Sequence, residues 1–168
     1  MTLCSHTQHD GNTHDDSLHG VHDHGSISDR LQEAEQICAL EGARLTPLRK
    51  EVLGLILAAN APIGAYDLLA KLKGKSERPA APPTVYRTLD FLLEQGLVHR
   101  LTSINAFIPC CHPREGHQAA FLICQKCHTV KETSANNLFD ELAQIATQGK
   151  FKAKHSIIEI SGICQKCQ

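Results

Sequence analysis

The chain has 168 residues, a net charge of −1 and an ordinary share of charged and apolar residues, which allows one domain of average size or two small ones. Near-neutral charge excludes a globally basic nucleic-acid-binding protein, and the longest apolar stretch, residues 52–59, is too short to span a bilayer. No basic-then-apolar leader opens the sequence. We therefore expect a cytoplasmic protein whose eight cysteines are metal ligands rather than disulfides.

Residues 1–27 form a histidine-rich segment. They contain six of the eleven histidines, together with Asp, Gly and Ser, and almost no large apolar residue. Such a segment cannot bury enough surface to offset its ordering entropy, so we predict a disordered tail. Its imidazoles and carboxylates are compatible with loose binding of zinc, copper or nickel, and equally with a solvated tail that has no role.

Four helices are predicted in the region that follows. The first ends at Gly42, and the second begins after the N-cap Thr46 with a proline at its first position. The third covers residues 65–73. The fourth follows Thr84 and ends just before Gly96.

The helical region closes with two short extended segments. Residues 97–101 and 106–109 are predicted to pair as a hairpin. Helices followed by a small β-hairpin are typical of a winged helix-turn-helix domain, which we place at residues 28–101. A hinge is predicted over residues 102–116.

The pattern then changes to a second, smaller domain. Strands are predicted over residues 119–123, 130–132 and 156–160, and a helix over residues 136–148. We place a small α/β domain at residues 117–168, bracketed by cysteines. The fold class predicted for the whole chain is therefore α+β.

Two identical Cys-Gln-Lys-Cys segments, called knuckles below, flank this domain. The first is Cys124–Cys127 and the second is Cys164–Cys167, with 36 residues between them. Two thiolates at this spacing bind one side of a tetrahedral ion, and two knuckles complete a four-cysteine zinc site. Because four protein ligands leave no open coordination position, we predict a structural role. Neither knuckle has the strand-to-helix context of a redox dithiol.

Outside the knuckles, further residues that can bind metals lie at the domain boundary and in the domains on either side of it. The candidates are His99, Cys110, Cys111, His112, His117, His128, Glu132 and His155. A site that combines nitrogen and thiolate ligands favours zinc over magnesium, calcium or manganese. The residues alone do not decide which of these candidates bind.

The fourth helix is the candidate recognition helix. Its predicted inward face consists of Val85, Leu89, Leu92 and Leu93. This arrangement turns Arg87 outward and leaves Tyr86 at the border. Arg87 is suited to guanine or phosphate, Thr84 to phosphate, and Tyr66 on the preceding helix to the DNA backbone or a thymine methyl. A solvated helix face without a ligand is the alternative.

Several segments resemble one known family. They read RLTPLR at residues 44–49, AYDLL at 65–69 and PPTVYRTLDFLLEQG at 82–96, and the two knuckles complete the pattern. By these segments the chain resembles the ferric uptake regulator family, and within it the branch that regulates zinc uptake. The resemblance covers about residues 32–167.

The resemblance implies a structural zinc at the four knuckle cysteines. It also implies a regulatory zinc held by His99, Cys110, His117 and Glu132. Because Cys111 and His112 directly follow Cys110, a shift of that ligand by one or two positions stays open. Residues 117–120 read HQAA where iron- and manganese-sensing relatives carry further histidines. This difference favours zinc, and it leaves His155 beside a site rather than in one.

We therefore expect a zinc-responsive repressor of zinc uptake genes. It would bind operator DNA as a homodimer, hold two zinc ions per chain and have no enzymatic activity. One alternative is a sister regulator that senses iron, manganese, nickel or peroxide. The others are a thiol oxidoreductase or zinc enzyme, and a zinc store in which the histidine-rich segment binds the metal.

Overall fold

The computed structural model describes residues 26–74, 81–111, 113, 119–153 and 156–168. The chain divides into two compact units between residues 116 and 117. The histidine-rich segment lies outside the described residues except for its last two positions, and so does most of the loop predicted between the third and fourth helices. Within the described ranges, no helix has the length and apolar character needed to cross a membrane.

The described part of the first unit contains helices and a three-stranded antiparallel sheet. Its elements are α1 (Ile27–Leu40), α2 (Pro47–Leu57), β1 (Ile63–Gly64), α3 (Ala65–Lys73), α4 (Pro82–Glu94), β2 (Val98–Leu101) and β3 (Ala106–Pro109). The strand order is β1-β3-β2. The predicted winged helix-turn-helix is confirmed. The two-residue strand β1 was not predicted, because so short a segment has no periodicity.

The hairpin of β2 and β3 is the wing. Register pairs His99 with Ile108 and Leu101 with Ala106, and Asn105 takes a positive φ of 48° in the connecting turn. Asparagine tolerates this left-handed conformation better than most residues. Strand β3, the second half of the wing, lies inside the range predicted as a hinge. It pairs with strands on both sides and is therefore part of the sheet of the first unit. The domain boundaries themselves stay a prediction.

Helix α1 begins earlier than the sequence pattern indicated. Ser26 and Ile27, which we assigned to the tail, are its N-cap and its first residue. The Asp29 amide donates to Ser26 Oγ at 3.2 Å, and the Ser26 amide donates to Asp29 Oδ2 at 2.9 Å. This reciprocal capping box satisfies two amides that the helix itself leaves without partners.

Helix α4 also begins earlier than predicted. We placed its start after Thr84, but the helix begins at Pro82 with Ala81 as the N-cap. The predicted start was therefore wrong. Prolines fit the first turn because the amides of that turn have no partner within the helix. Thr84 is therefore the third residue of α4, still in its first turn and exposed.

The core of the first unit lies between its helices and the wing. Its most deeply buried members include Val52, Ile56, Leu68, Val85, Leu89 and Leu92. Leu93, predicted to face the core, is only partly buried. The guanidinium of Arg49 lies 3.4 Å from the centre of the Phe91 ring and joins α2 to α4.

The second unit is a smaller mixed sheet with one described helix. Its elements are β4 (Ala119–Cys124), β5 (Val130–Ser134), α5 (Asn136–Gln148) and β6 (Ile158–Gly162), followed by a 3₁₀ turn (Gln165–Cys167). The strand order is β5-β4-β6, with β4 antiparallel to β5 and parallel to β6. The last strand is shifted by two residues from its predicted range. The predicted α+β fold is confirmed.

Candidate metal centres and nucleic-acid interface

The two knuckles come together as the sequence predicted. The Sγ atoms of Cys124, Cys127, Cys164 and Cys167 all lie within 4.8 Å of one another, and those of Cys127 and Cys164 are 3.7 Å apart. In a tetrahedral zinc site, Zn–S bonds of about 2.3 Å place the sulfurs roughly 3.8 Å from one another. The cluster therefore fits a zinc ion bound by four thiolates.

Strand pairing sets this geometry. The parallel register of β4 with β6 places Cys124 opposite Gly162, and the Gln125 amide donates to the Gly162 carbonyl at 2.8 Å. The first knuckle turns back at His128, whose φ is 56° and whose amide donates to the Cys124 carbonyl. The 3₁₀ turn closes the second knuckle, with the Cys167 amide donating to the Cys164 carbonyl at 2.9 Å.

The four thiols have unequal proton affinities. Backbone amides of Cys127 and Cys164 donate to Cys124 and lower the pKa of its thiol to about 6. The Thr129 hydroxyl, with Oγ1 3.2 Å from Cys127 Sγ, lowers the pKa of the Cys127 thiol. Hydrogen bonding with Cys164 is the largest of the effects that raise the pKa of the Cys167 thiol to about 12. A bound divalent cation stabilises all four thiolates at once, because it replaces the protons that neighbouring thiols must otherwise share.

The residues expected to bind a regulatory metal lie in both units. In the first unit, His99 is half-buried on β2, and Cys110, directly after β3, is 2% exposed. The Cys110 amide donates to the Leu97 carbonyl at 3.0 Å, and the Arg30 guanidinium donates to the Cys110 carbonyl at 2.6 Å. The backbone of Cys110 is therefore held on both sides.

In the second unit, Glu132 lies on β5 opposite Phe121 and is only 2% exposed. A carboxylate buried to this extent needs a charged or hydrogen-bonding partner, and a bound cation is one kind of partner. His117 lies outside the described residues, as do His112 and His155. Cys111, one alternative to Cys110, is in a disulfide bond, which corrects the expectation that the cysteines form no disulfides. The regulatory ligand set stays a prediction.

The candidate nucleic-acid interface is a set of exposed side chains on α3 and α4. Tyr66 is 77% exposed, Tyr86 is 43% exposed, and Thr84 and Arg87 are also exposed. The exposure of Tyr86 and Arg87 is the one that the apolar stripe of α4 predicts. Contact of these residues with DNA stays a prediction.

Two contacts made by basic side chains were not predicted from the sequence. The ammonium group of Lys126 donates to the Cys167 carbonyl at 2.7 Å, and Arg30 holds the Cys110 carbonyl. Each contact joins residues that are at least 41 positions apart. No local pattern in the sequence indicates such pairs.

Comparisons with known proteins agree on one family. A family model described as the ferric uptake regulator family matches residues 40–161. The zinc uptake regulation protein of Escherichia coli (strain K12) is 44% identical over 138 residues, which cover 82% of this chain and 80% of that protein. The peroxide operon regulator of Bacillus subtilis (strain 168) is 33% identical over 138 residues, covering 82% and 92%. A solved structure described as a zinc uptake regulator complexed with zinc and DNA has a TM-score of 0.80 at 42% identity, covering 85% of this chain and 95% of that one.

Replacing one knuckle ligand tests the role of the four-cysteine cluster. Structural zinc contributes on the order of 10 kcal/mol to the folding of small metal-binding domains. We therefore expect Cys164→Ser to lose the zinc of this site and to unfold the second unit, as measured by metal content and limited proteolysis. Cys38→Ala is the matched control, since it removes a thiol buried in the first unit. A Cys164→Ser protein with full zinc content would contradict the assignment.

Proposed function

The chain belongs to the ferric uptake regulator family, and from that premise we propose that it is a zinc-responsive, DNA-binding repressor of zinc uptake genes. The observation that carries the proposal is a four-cysteine cluster with the spacing of a zinc site in a chain 44% identical to a zinc uptake regulation protein, and the exposed polar side chains of α4 support it. The peroxide operon regulator is less similar, at 33%. Residues 117–120 also lack the additional histidines expected for iron or manganese.

Regulation rather than catalysis follows from the chemistry of the knuckles. Four thiolates saturate zinc and leave no position for a substrate or an activated water. We therefore expect no enzymatic activity, and we place the protein in the cytoplasm, where its DNA target is.

We propose two zinc ions per chain. The first is structural, at the knuckle cysteines. The second is regulatory, and its ligands are His99, Cys110, His117 and Glu132. Deep burial of Cys110 and Glu132 supports this set, since a thiolate and a carboxylate that bind metal are shielded from water. A mixed set of nitrogen, sulfur and oxygen ligands suits zinc.

The regulatory zinc is the corepressor in this proposal. Its ligands lie before, within and after the predicted hinge, so zinc would hold the DNA-binding domains of a dimer at a separation that matches successive major grooves. Zinc then raises the affinity for DNA, and DNA raises the affinity for zinc by the same factor, because coupling between two binding equilibria is reciprocal.

We propose that operator DNA is read by α4 in the major groove. Arg87 would bind guanine or phosphate, Thr84 phosphate, and Tyr86 and Tyr66 the DNA backbone or thymine methyl groups. The buried stripe of α4 supports this role, since it fixes the direction in which these side chains leave the helix.

A second copy of the chain is the proposed partner of the second unit. Leu138, Leu142 and Ile145 recur at helical spacing on α5 and are all exposed, and Ile157 and Ile160 at β6 are exposed as well. Exposed apolar patches mark association surfaces. Most soluble oligomers are symmetric homodimers in which one patch meets its own copy.

The regulatory ligands are tested by Cys110→Ser. We expect this variant to keep the structural zinc and to lose the zinc-dependent increase in DNA affinity, because an alcohol is a much poorer zinc ligand than a thiolate. The measurements are metal content and DNA binding by fluorescence anisotropy at buffered zinc. A Cys110→Ser protein that still binds operator DNA in response to zinc would overturn this ligand assignment.

The recognition helix is tested by Arg87→Ala. Loss of a bidentate base contact costs about 1–3 kcal/mol, so operator binding in saturating zinc should weaken while zinc content stays unchanged. Lys131→Ala removes the same charge from an exposed position on β5 and serves as the control. Equal losses for both variants would mean that Arg87 acts only through net charge.

The dimer surface is tested by Ile145→Asp. We expect a charge in the middle of the apolar stripe to shift the protein to monomer, as measured by analytical ultracentrifugation. The control is Leu40→Asp, which places the same charge at an apolar side chain of α1 that is 83% exposed. An Ile145→Asp protein that stays dimeric would exclude this face as the interface.

A further inference from the structure

The two knuckles have the same sequence but different structural support. The first begins at the buried Cys124, at the end of a strand that is paired on both sides. In the second, Cys164 and Cys167 are both partly exposed. Cys127 of the first knuckle is exposed but lies in the turn between the paired strands β4 and β5, whereas Cys167 reaches the cluster through a three-residue 3₁₀ turn. So short a turn has little stability of its own. Cys167 is therefore the ligand that most needs support from outside its own knuckle.

Hydrogen bonds from the first knuckle supply this support. The start of the second knuckle is held by the Gln125 amide on the Gly162 carbonyl and by the Cys164 amide, which donates to Cys124 Sγ at 3.4 Å. Its end is held by Lys126, whose Nζ donates to the Cys167 carbonyl at 2.7 Å. An ammonium donor forms a stronger hydrogen bond than a neutral one.

The lysine at the same position of the second knuckle, Lys166, differs from Lys126 in its contacts. Lys166 is exposed, and no side-chain hydrogen bond or ion pair of Lys166 is found among the residues that the structure describes. Both lysines lie one residue before a zinc ligand in the same four-residue sequence. They place the same charge in equivalent positions of the two knuckles. The two lysines differ in that Lys126 donates a hydrogen bond to the other knuckle.

We propose that Lys126 is a positioning residue that holds the second knuckle closed on the structural zinc. Zinc leaves a four-thiolate site one ligand at a time, and the least supported ligand opens first. By fixing the carbonyl of Cys167, Lys126 keeps the 3₁₀ turn in place and favours rebinding of that thiolate over the loss of the metal. The inference rests on the four-cysteine centre alone and is independent of the proposed regulatory role.

The experiment compares Lys126→Met with Lys166→Met, which remove the same charge. Both are made in the full-length chain carrying Cys110→Ser, so that the four-cysteine site supplies the signal, and bound zinc is counted before mixing. Zinc release into excess colorimetric chelator is followed over time. We expect release from Lys126→Met to be roughly three- to tenfold faster than from the parent, the size of effect expected for one ordinary hydrogen bond, because this one lies at an exposed position where water screens the charge. Lys166→Met should stay within about twofold of the parent, because a surface charge alone contributes little.

A conservative variant separates the hydrogen bond from general damage. Lys126→Arg retains a charged donor of similar reach and should return the release rate to within about twofold of the parent. If Lys126→Met is purified without zinc while Lys126→Arg and Lys166→Met retain it, the proposal is also supported. Equal release from Lys126→Met and Lys166→Met, or equal loss of zinc from both, would overturn it, because charge rather than the bond to Cys167 would then be responsible.

Discussion

The parallel pairing of β4 with β6 is the contact on which the second unit depends. It places the ends of two strands side by side and brings two knuckles, far apart in the sequence, within one coordination shell. The described core of this unit is small, with Phe121 and Phe139 as its largest fully buried side chains. Small units of this kind need a metal, a disulfide or a partner to offset their conformational entropy. The four-cysteine cluster fits the first of these, and the dimer face proposed on α5 would provide the last.

The first unit is stabilised differently, by a continuous apolar core. Val85, Leu89 and Leu92 are almost completely buried, so α4 cannot rotate about its axis without exposing them. The contact of Arg49 with Phe91 further fixes α2 against α4. This rigidity gives Tyr86 and Arg87 a defined direction, which sequence-specific binding in a groove requires.

The helices and the cysteine cluster could be predicted from the sequence because local patterns of residues indicate them. Helical periodicity identified α1 to α5, and the repeated knuckle spacing identified the four cysteines that cluster in the structure. Pairing between distant segments was not predictable. The parallel register of β4 with β6, the two-residue strand β1 and the bond from Lys126 to Cys167 depend on tertiary contacts that leave no local trace. The early start of α4 was missed because two prolines resembled a loop, although proline is favoured in the first turn. The residues themselves gave eight candidates for the regulatory ligands, and the choice of four among them came from a family resemblance.

The central claim is that zinc controls DNA binding. It is tested most directly by titrating promoter DNA of a zinc uptake gene with the protein at a series of buffered free zinc concentrations, with iron(II) and manganese(II) in parallel. The account predicts weak binding when only the structural site is filled, a saturable rise in affinity as free zinc increases, and no such rise with iron or manganese. Affinity that is independent of zinc once the structural site is filled, or that responds to iron or manganese instead, would contradict it.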